Sequence, residues 1–88
     1  MTLTMDVEIN ARSEHLSFVR KEYETRVLPF VGLEIEDTAW KKPRKVISVV
    51  VSYQSESIYI ELEPYDINDS EYLDQEKEMF KGHGWEIK

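Results

Sequence analysis

The sequence predicts an α+β domain, a two-layer sandwich in which two helices cover one face of a mostly antiparallel sheet of four to five strands. Segments with two-residue apolar alternation, typical of strands, are separated by two segments with helical periodicity. Residues 1–88 form one domain, and the predicted element order is β-α-β-β-β-α-β. A ferredoxin-like arrangement is the nearest common topology. The predicted strand at residues 33–37 is additional to that topology.

The first two elements follow from a change of period. Apolar and polar residues alternate over residues 3–10, as in a strand with one solvent face. Residues 13–28 then place apolar side chains at intervals of three or four, namely Leu16, Val19, Tyr23 and Val27. This spacing predicts a first helix, which Pro29 ends because the residue before a proline avoids helical dihedral angles.

The middle of the chain contains the strongest strand signals. Residues 46–51 are apolar on both faces, which predicts a central strand. A turn at residues 54–57 connects them to an alternating strand at residues 58–62, so the two form a hairpin. The residues of this hairpin that we expect in the core are Ile47, Val49, Val51, Ile58, Ile60 and Leu62.

The C-terminal part predicts a second helix and a short strand. Asn68, Asp69 or Ser70 can cap a helix that continues to about Lys81. Glycines on both sides of His83 favour its termination there. Residues 85–87 then add a final edge strand.

Composition excludes several classes of function. The chain has no cysteine, which excludes disulfides, zinc–thiolate sites and thiol catalysis. No apolar stretch approaches the roughly 18 residues of a membrane span, and the N-terminus lacks a secretory signal pattern. We therefore expect a cytoplasmic protein without a cofactor.

Net charge is concentrated in one segment. The chain has a formal net charge of −7, and residues 61–78 contain eight carboxylates and one base, Lys77, so this segment accounts for all of it. Such a local negative field repels nucleic acid and membrane surfaces and favours a basic partner. The alternative is a solvated helix face that keeps a small protein soluble.

A partner-binding surface is the function that this charge predicts. Its predicted residues are Asp66, Asp69, Glu71, Asp74, Glu78, Tyr65 and Phe18. Carboxylates so placed can occupy a basic cleft on a nucleic-acid-binding or nucleolytic protein. Small inhibitors, immunity proteins and antagonists of host defence share this size and charge, which is an argument from composition only. A calcium loop starting at Asp66 is not expected, because Glu71 stands where the loop needs glycine and Lys77 where it needs a bidentate glutamate.

Two further function classes stay open. Glu76 lies within the apolar face of the second helix, and His83 follows that helix, so a ligand-binding or enzymatic domain could use both residues in a small pocket. A homo-oligomeric structural or regulatory subunit is the other class, since residues 46–51 need cover on both faces and both edges. The basic loop at residues 41–45 beside Trp40 is interpreted as a charged turn between strands. Its alternatives are phosphate binding with stacking of a base, and self-association in which this loop meets the acidic segment of another subunit.

Overall fold

The computed structural model describes residues 1–88 and is mostly β, with 49% of the residues in strands. The strands are β1 (Thr2–Ala11), β2 (Glu14–Glu24), β3 (Glu34–Ile35), β4 (Arg44–Ser52), β5 (Ser57–Leu62), β6 (Tyr65–Ile67) and β7 (Glu86–Ile87). A 3₁₀ turn (Ser70–Tyr72) leads into the one helix, α1 (Leu73–Gly82). The strands form a curled half-barrel of mixed sheet, so the predicted two-helix sandwich of four to five strands is wrong.

The sheet is centred on β1, not on β4. Its order is β3-β4-β5-β1-β2-β7, and β6 also pairs with β1. β1 is antiparallel to β2 and parallel to both β5 and β6. The last two occupy the same side of β1 and are separated by Pro64, which cannot donate to a ladder. The prediction that residues 46–51 form a central strand is therefore wrong.

The predicted first helix over residues 13–28 is also wrong, because β2 occupies most of that segment. Arg12 and Ser13 have positive φ angles of 52° and 65° and form a two-residue turn that joins β1 to β2. Such turns match the twist of the flanking strands. Val19 opposite Val7 is fully buried, so β2 packs one face against the core with a period of two.

A bulge changes which side of β4 faces the core. The pairing with β5 shifts register between Val46 and Ser48, so two residues of β4 oppose Leu62. Val46 is buried as a result, whereas Ile47 is 48% exposed. The expectation of a buried Ile47 is wrong; Ile58, Ile60 and Leu62 are buried as predicted.

One hydrophobic cluster lies on the concave side of the sheet. Its largest fully buried side chain is Phe80, which α1 contributes, and Trp85 packs edge-on against it with ring centroids 5.8 Å apart. The helix ends at Gly82 with His83 as its C-cap, and Gly84 takes a positive φ of 88°, so the helix terminates at the glycines that predicted its end. With 10 residues, α1 is too short to span a membrane.

A buried ion pair draws the two sides of the half-barrel together. Asp37, whose side chain is 2% exposed, accepts a hydrogen bond of 2.8 Å from Lys21 Nζ on β2. It also accepts bonds from Trp85 Nε1 at 3.1 Å and from the backbone N–H of Ala39 at 2.9 Å. Lys21 Nζ donates in addition to the carbonyl of His83. The connection between β3 and β4 is thereby fixed to β2 and to the start of β7.

Candidate functional site

The predicted acidic residues lie along β6, the 3₁₀ turn and the first half of α1. Asp66, Glu71, Asp74 and Glu78 are exposed, and Asp69 is partly exposed. We refer to these five residues as the acidic surface. α1 directs Phe80 into the core, so its opposite side is left to solvent and carries the charge.

Asp69 has a structural role within this surface. Its side chain accepts a hydrogen bond from the backbone N–H of Glu71 at 3.1 Å and so caps the 3₁₀ turn. The carboxylate also lies 3.7 Å from the guanidinium of Arg12 in the turn between β1 and β2. Asp69 therefore positions the surface, and its charge is partly neutralised.

The carboxylates of the acidic surface that have no salt-bridge partner lie before α1 and at its N-terminal end. Glu78 pairs with Lys81 at 3.3 Å one turn later in the helix. Asp66, Glu71 and Asp74 form no salt bridge, and no basic residue occurs between Asp66 and Asp74. These three carboxylates are the ones that can still pair with cations of a partner.

A small pocket of about 260 Å³ opens beside these carboxylates. Its lining is Tyr65, Asp66, Ile67, Asn68, Tyr72 and Glu76. Two tyrosine rings and two carboxylates thus share one concave site. Aromatic faces and carboxylates both attract a cationic group, so the lining suits a lysine or arginine side chain.

Tyr65 is held firmly as a wall of that pocket. Its hydroxyl donates to Glu76 Oε2 at 3.2 Å, and its ring meets Phe80 edge-on at 5.1 Å. Arg44 lies over the ring at 4.8 Å from the centroid. Burial and the nearby Glu76 carboxylate raise the pKa of the Tyr65 hydroxyl, so this group stays a neutral donor to Glu76.

Phe18 is separated from the other predicted residues. It lies on β2 opposite Glu8, whose neighbours Val7 and Ile9 point into the core. Phe18 therefore faces the convex side of the sheet, whereas α1 packs on the concave side. It is 38% exposed, and its ring lies 4.6 Å from that of His15 at a tilted angle of 49°; His15 pairs with Glu8.

Glu76 and His83, the pair considered for a ligand or catalytic site, line one groove of about 450 Å³. The basic loop forms its other wall with Trp40, Lys41, Lys42 and Arg44. Each of the pair already has a hydrogen-bond partner, because Glu76 accepts from Tyr65 and His83 Nδ1 lies 2.8 Å from Thr38 Oγ1. No group of three or more histidines and carboxylates is placed to hold a metal ion.

Two features of the site were missed by sequence reasoning. Tyr72 falls on the apolar side of the predicted second helix, but it is 46% exposed and lines the small pocket. Its position four residues before Glu76 was the available signal, since such residues are neighbours on a helix. The Lys21–Asp37 pair gave no signal, because its partners belong to segments that only the fold brings together.

Comparisons with family models, with curated proteins and with solved structures find no match for this chain.

Proposed function

We propose that this chain is a non-catalytic binding protein that acts in the cytoplasm and docks on a basic protein through its acidic surface. In this role it occludes a basic cleft of the partner, as a small inhibitor or antagonist does. The small pocket beside Asp66 carries the proposal. It combines Tyr65, Tyr72 and the Glu76 carboxylate in one concavity, where a lysine or arginine side chain of the partner would be held.

The arrangement of charge around the pocket supports the same proposal. Asp66, Glu71 and Asp74 lack internal cation partners, so their field is directed at solvent. Opposite charge on a partner raises the rate of encounter, while a pocket that desolvates one anchor side chain slows dissociation. The acidic surface should therefore control the association rate, and the pocket should control the dissociation rate.

The test starts with capture of the partner from the native cell and elution in a salt gradient. Association and dissociation rates of the purified pair are then measured for a variant with Glu71→Lys, Asp74→Lys and Glu78→Lys. We expect a slower association rate, because exposed charges act first on encounter. Affinity of the wild type should also fall steeply toward 1 M salt, where the Debye length shrinks to about 3 Å.

The matched control reverses three exposed or partly exposed acids outside the acidic surface, with Glu8→Lys, Glu34→Lys and Glu36→Lys. It produces the same change in net charge, so an effect of overall charge alone would slow both variants equally. Equal association rates for the two folded triple variants would overturn the proposed docking surface. Circular dichroism and melting curves establish that both variants are folded.

A second candidate function is supported by the groove that Glu76 and His83 share. Lys41 and Lys42 line the same groove, so a small anionic ligand would meet two cations there. Because Trp40 also lines it, binding is measurable by tryptophan fluorescence during titration with inorganic phosphate. A saturating change that Lys42→Ala abolishes supports this candidate, and the absence of any saturating change rules out phosphate as its ligand.

A further inference from the structure

The outer edge of β4 has no strand partner over much of its length. β3 pairs only with Arg44 and Lys45, and Gly32 and Leu33 add two hydrogen bonds to the backbone of Val46. From Ser48 to Ser52 the only strand beside β4 is β5, on its inner side. Every second backbone N–H and C=O of this stretch therefore points away from the sheet.

This edge lacks the features that usually prevent strands from pairing with other chains. Residues 46–55 contain no charged residue and no proline. Edge strands of monomeric proteins are commonly protected by lysine, proline or a covering loop. β4 has one bulge, between Val46 and Ser48, and it lies before the unpaired stretch begins.

Exposed apolar side chains are concentrated around the same edge. Val50 is 58% exposed and Tyr53, in the turn after β4, is 76% exposed. Phe30 and Val31 are also exposed, and they precede Gly32, whose N–H donates to the carbonyl of Val46 at 2.8 Å. The open edge is thus bordered by Val31 at one end and Tyr53 at the other.

We infer that this edge is a self-association surface, on which β4 of a second copy adds in the antiparallel direction. Val50 is the central residue of the unpaired stretch Ser48–Ser52, so a two-fold axis through it pairs all five residues with their counterparts. Ser48 then lies opposite Ser52 of the second copy, and Val50 opposite Val50. The two sheets become one continuous sheet across the interface.

The geometry at both ends of the stretch favours a second copy over an unrelated strand. Antiparallel pairing brings Tyr53 of one copy to the position beside Val31 of the other. Each of these two exposed apolar side chains then shields the other from water. In this register Lys45 lies opposite Ser55 of the second copy, one residue from Glu56, with β3 between the two copies at that end. A parallel arrangement would place like charges together. α1 packs on β2 and β7, so the acidic surface lies away from this edge.

Sedimentation velocity over a range of protein concentrations tests the inference. We expect the wild type to approach twice the 10.5 kDa of one chain as concentration rises. Val50→Lys should remain monomeric under the same conditions, because it places like charges directly opposite each other at the two-fold axis. An equimolar mixture of Val50→Lys and Val50→Glu should recover the dimer, since opposite charges then meet.

Phe18→Lys is the matched control, because it adds the same charge at an exposed apolar position on β2, and it should dimerise as the wild type does. A wild type that stays monomeric at the highest concentration would overturn the inference. So would a Val50→Lys variant that dimerises normally, or a charge-paired mixture that stays monomeric. These outcomes leave the proposed docking surface untouched, because none of its residues is altered.

Discussion

The two lateral sides of the sheet, beyond β2 and beyond β4, are protected from solvent in different ways. Beyond β2 the chain supplies β7, a hydrogen bond from Lys88 N–H to the carbonyl of Phe18, and the buried pair of Lys21 and Asp37. Beyond β4 it supplies β3 along the first residues only. The first side carries charged residues along β2, pairs with β7 only at Val19 and Arg20, and is held by a buried ion pair. The second side is uncharged and has no outer strand from Ser48 to Ser52.

The difference teaches that this fold satisfies each edge by a different kind of interaction. At the β2 side, Asp37 and Lys21 are far apart in sequence and both are largely buried. Their hydrogen bonds to each other, to Trp85 and to the backbone offset the free-energy cost of removing the carboxylate and the ammonium from water. At the β4 side, the backbone groups are left to water or to another strand. Disturbing the first side should therefore cost stability, and disturbing the second should change association.

Of the substitutions at the two sides, Asp37→Ala should cause the largest loss in the free energy of unfolding. It leaves the ammonium of Lys21 and the N–H groups of Trp85 and Ala39 without their acceptor in a largely buried place. Removing one partner of a buried pair costs about 3–5 kcal/mol in the free energy of unfolding. Urea denaturation measures it, with Asp66→Ala as the exposed control; a loss under about 1 kcal/mol would mean that the pair does not close the half-barrel.

The pH dependence of stability should report the same pair. Burial acts to raise the pKa of Asp37, but hydrogen bonds from Lys21, Ala39 and Trp85 outweigh it and lower that pKa. Burial acts to lower the pKa of Lys21, but its hydrogen bond to Asp37 and the neighbouring Tyr23 hydroxyl outweigh this effect and raise that pKa.

The two shifts have opposite signs and limit stability at opposite ends of the pH range. The contribution of Asp37 is complete above its ordinary pKa of 3.8 and is lost as pH falls through the lowered folded-state value. That of Lys21 is complete below 10.5 and is lost as pH rises through the raised value. Melting curves from acid to alkaline pH should show both losses, and the double variant Lys21→Met, Asp37→Leu should lack them; identical profiles would contradict this assignment.

Val50→Lys should have the smallest effect on the folded monomer. The side chain is exposed on an open edge, and substitutions of this kind change the free energy of unfolding by about 0.5 kcal/mol, up to about 1 kcal/mol where strand preference is lost. Denaturation at low protein concentration measures the monomer alone. A loss above about 2 kcal/mol there would show that β4 depends on Val50 for its own packing, so that the β4 side also contributes to stability.

Several elements were predictable because their signals are local. The alternation of residues 3–10 and 58–62 sets the buried faces of β1 and β5, and Pro64 separates β5 from β6. The glycines on both sides of His83 predicted the end of α1, which stops at Gly82. The exposed acids of the candidate site were predictable for the same reason. A carboxylate without a partner stays in contact with water, whichever tertiary fold the chain adopts.

Other features depended on pairing between distant residues. Leu16, Val19 and Tyr23 fit a helical period, but β1 needs a hydrogen-bonded neighbour on each side, and that requirement selects a strand for residues 14–24. β2 directs Ser17 and Lys21 inward, where they bond to the carbonyl of Lys88 and to Asp37. A hydropathy pattern counts both residues as polar and therefore does not register this face as buried.

The sequence by itself determined the absence of cysteine chemistry, the position of the negative charge and the strands whose alternation is complete. The tertiary structure decided the class of the fold, the exposure of Ile47 at the bulge and the grouping of Tyr65, Tyr72 and Glu76 around one pocket. The physical reason is that strand pairing and buried polar contacts join residues far apart in the chain. Their free energy depends on which partner is present, and a local pattern of residues does not contain that information.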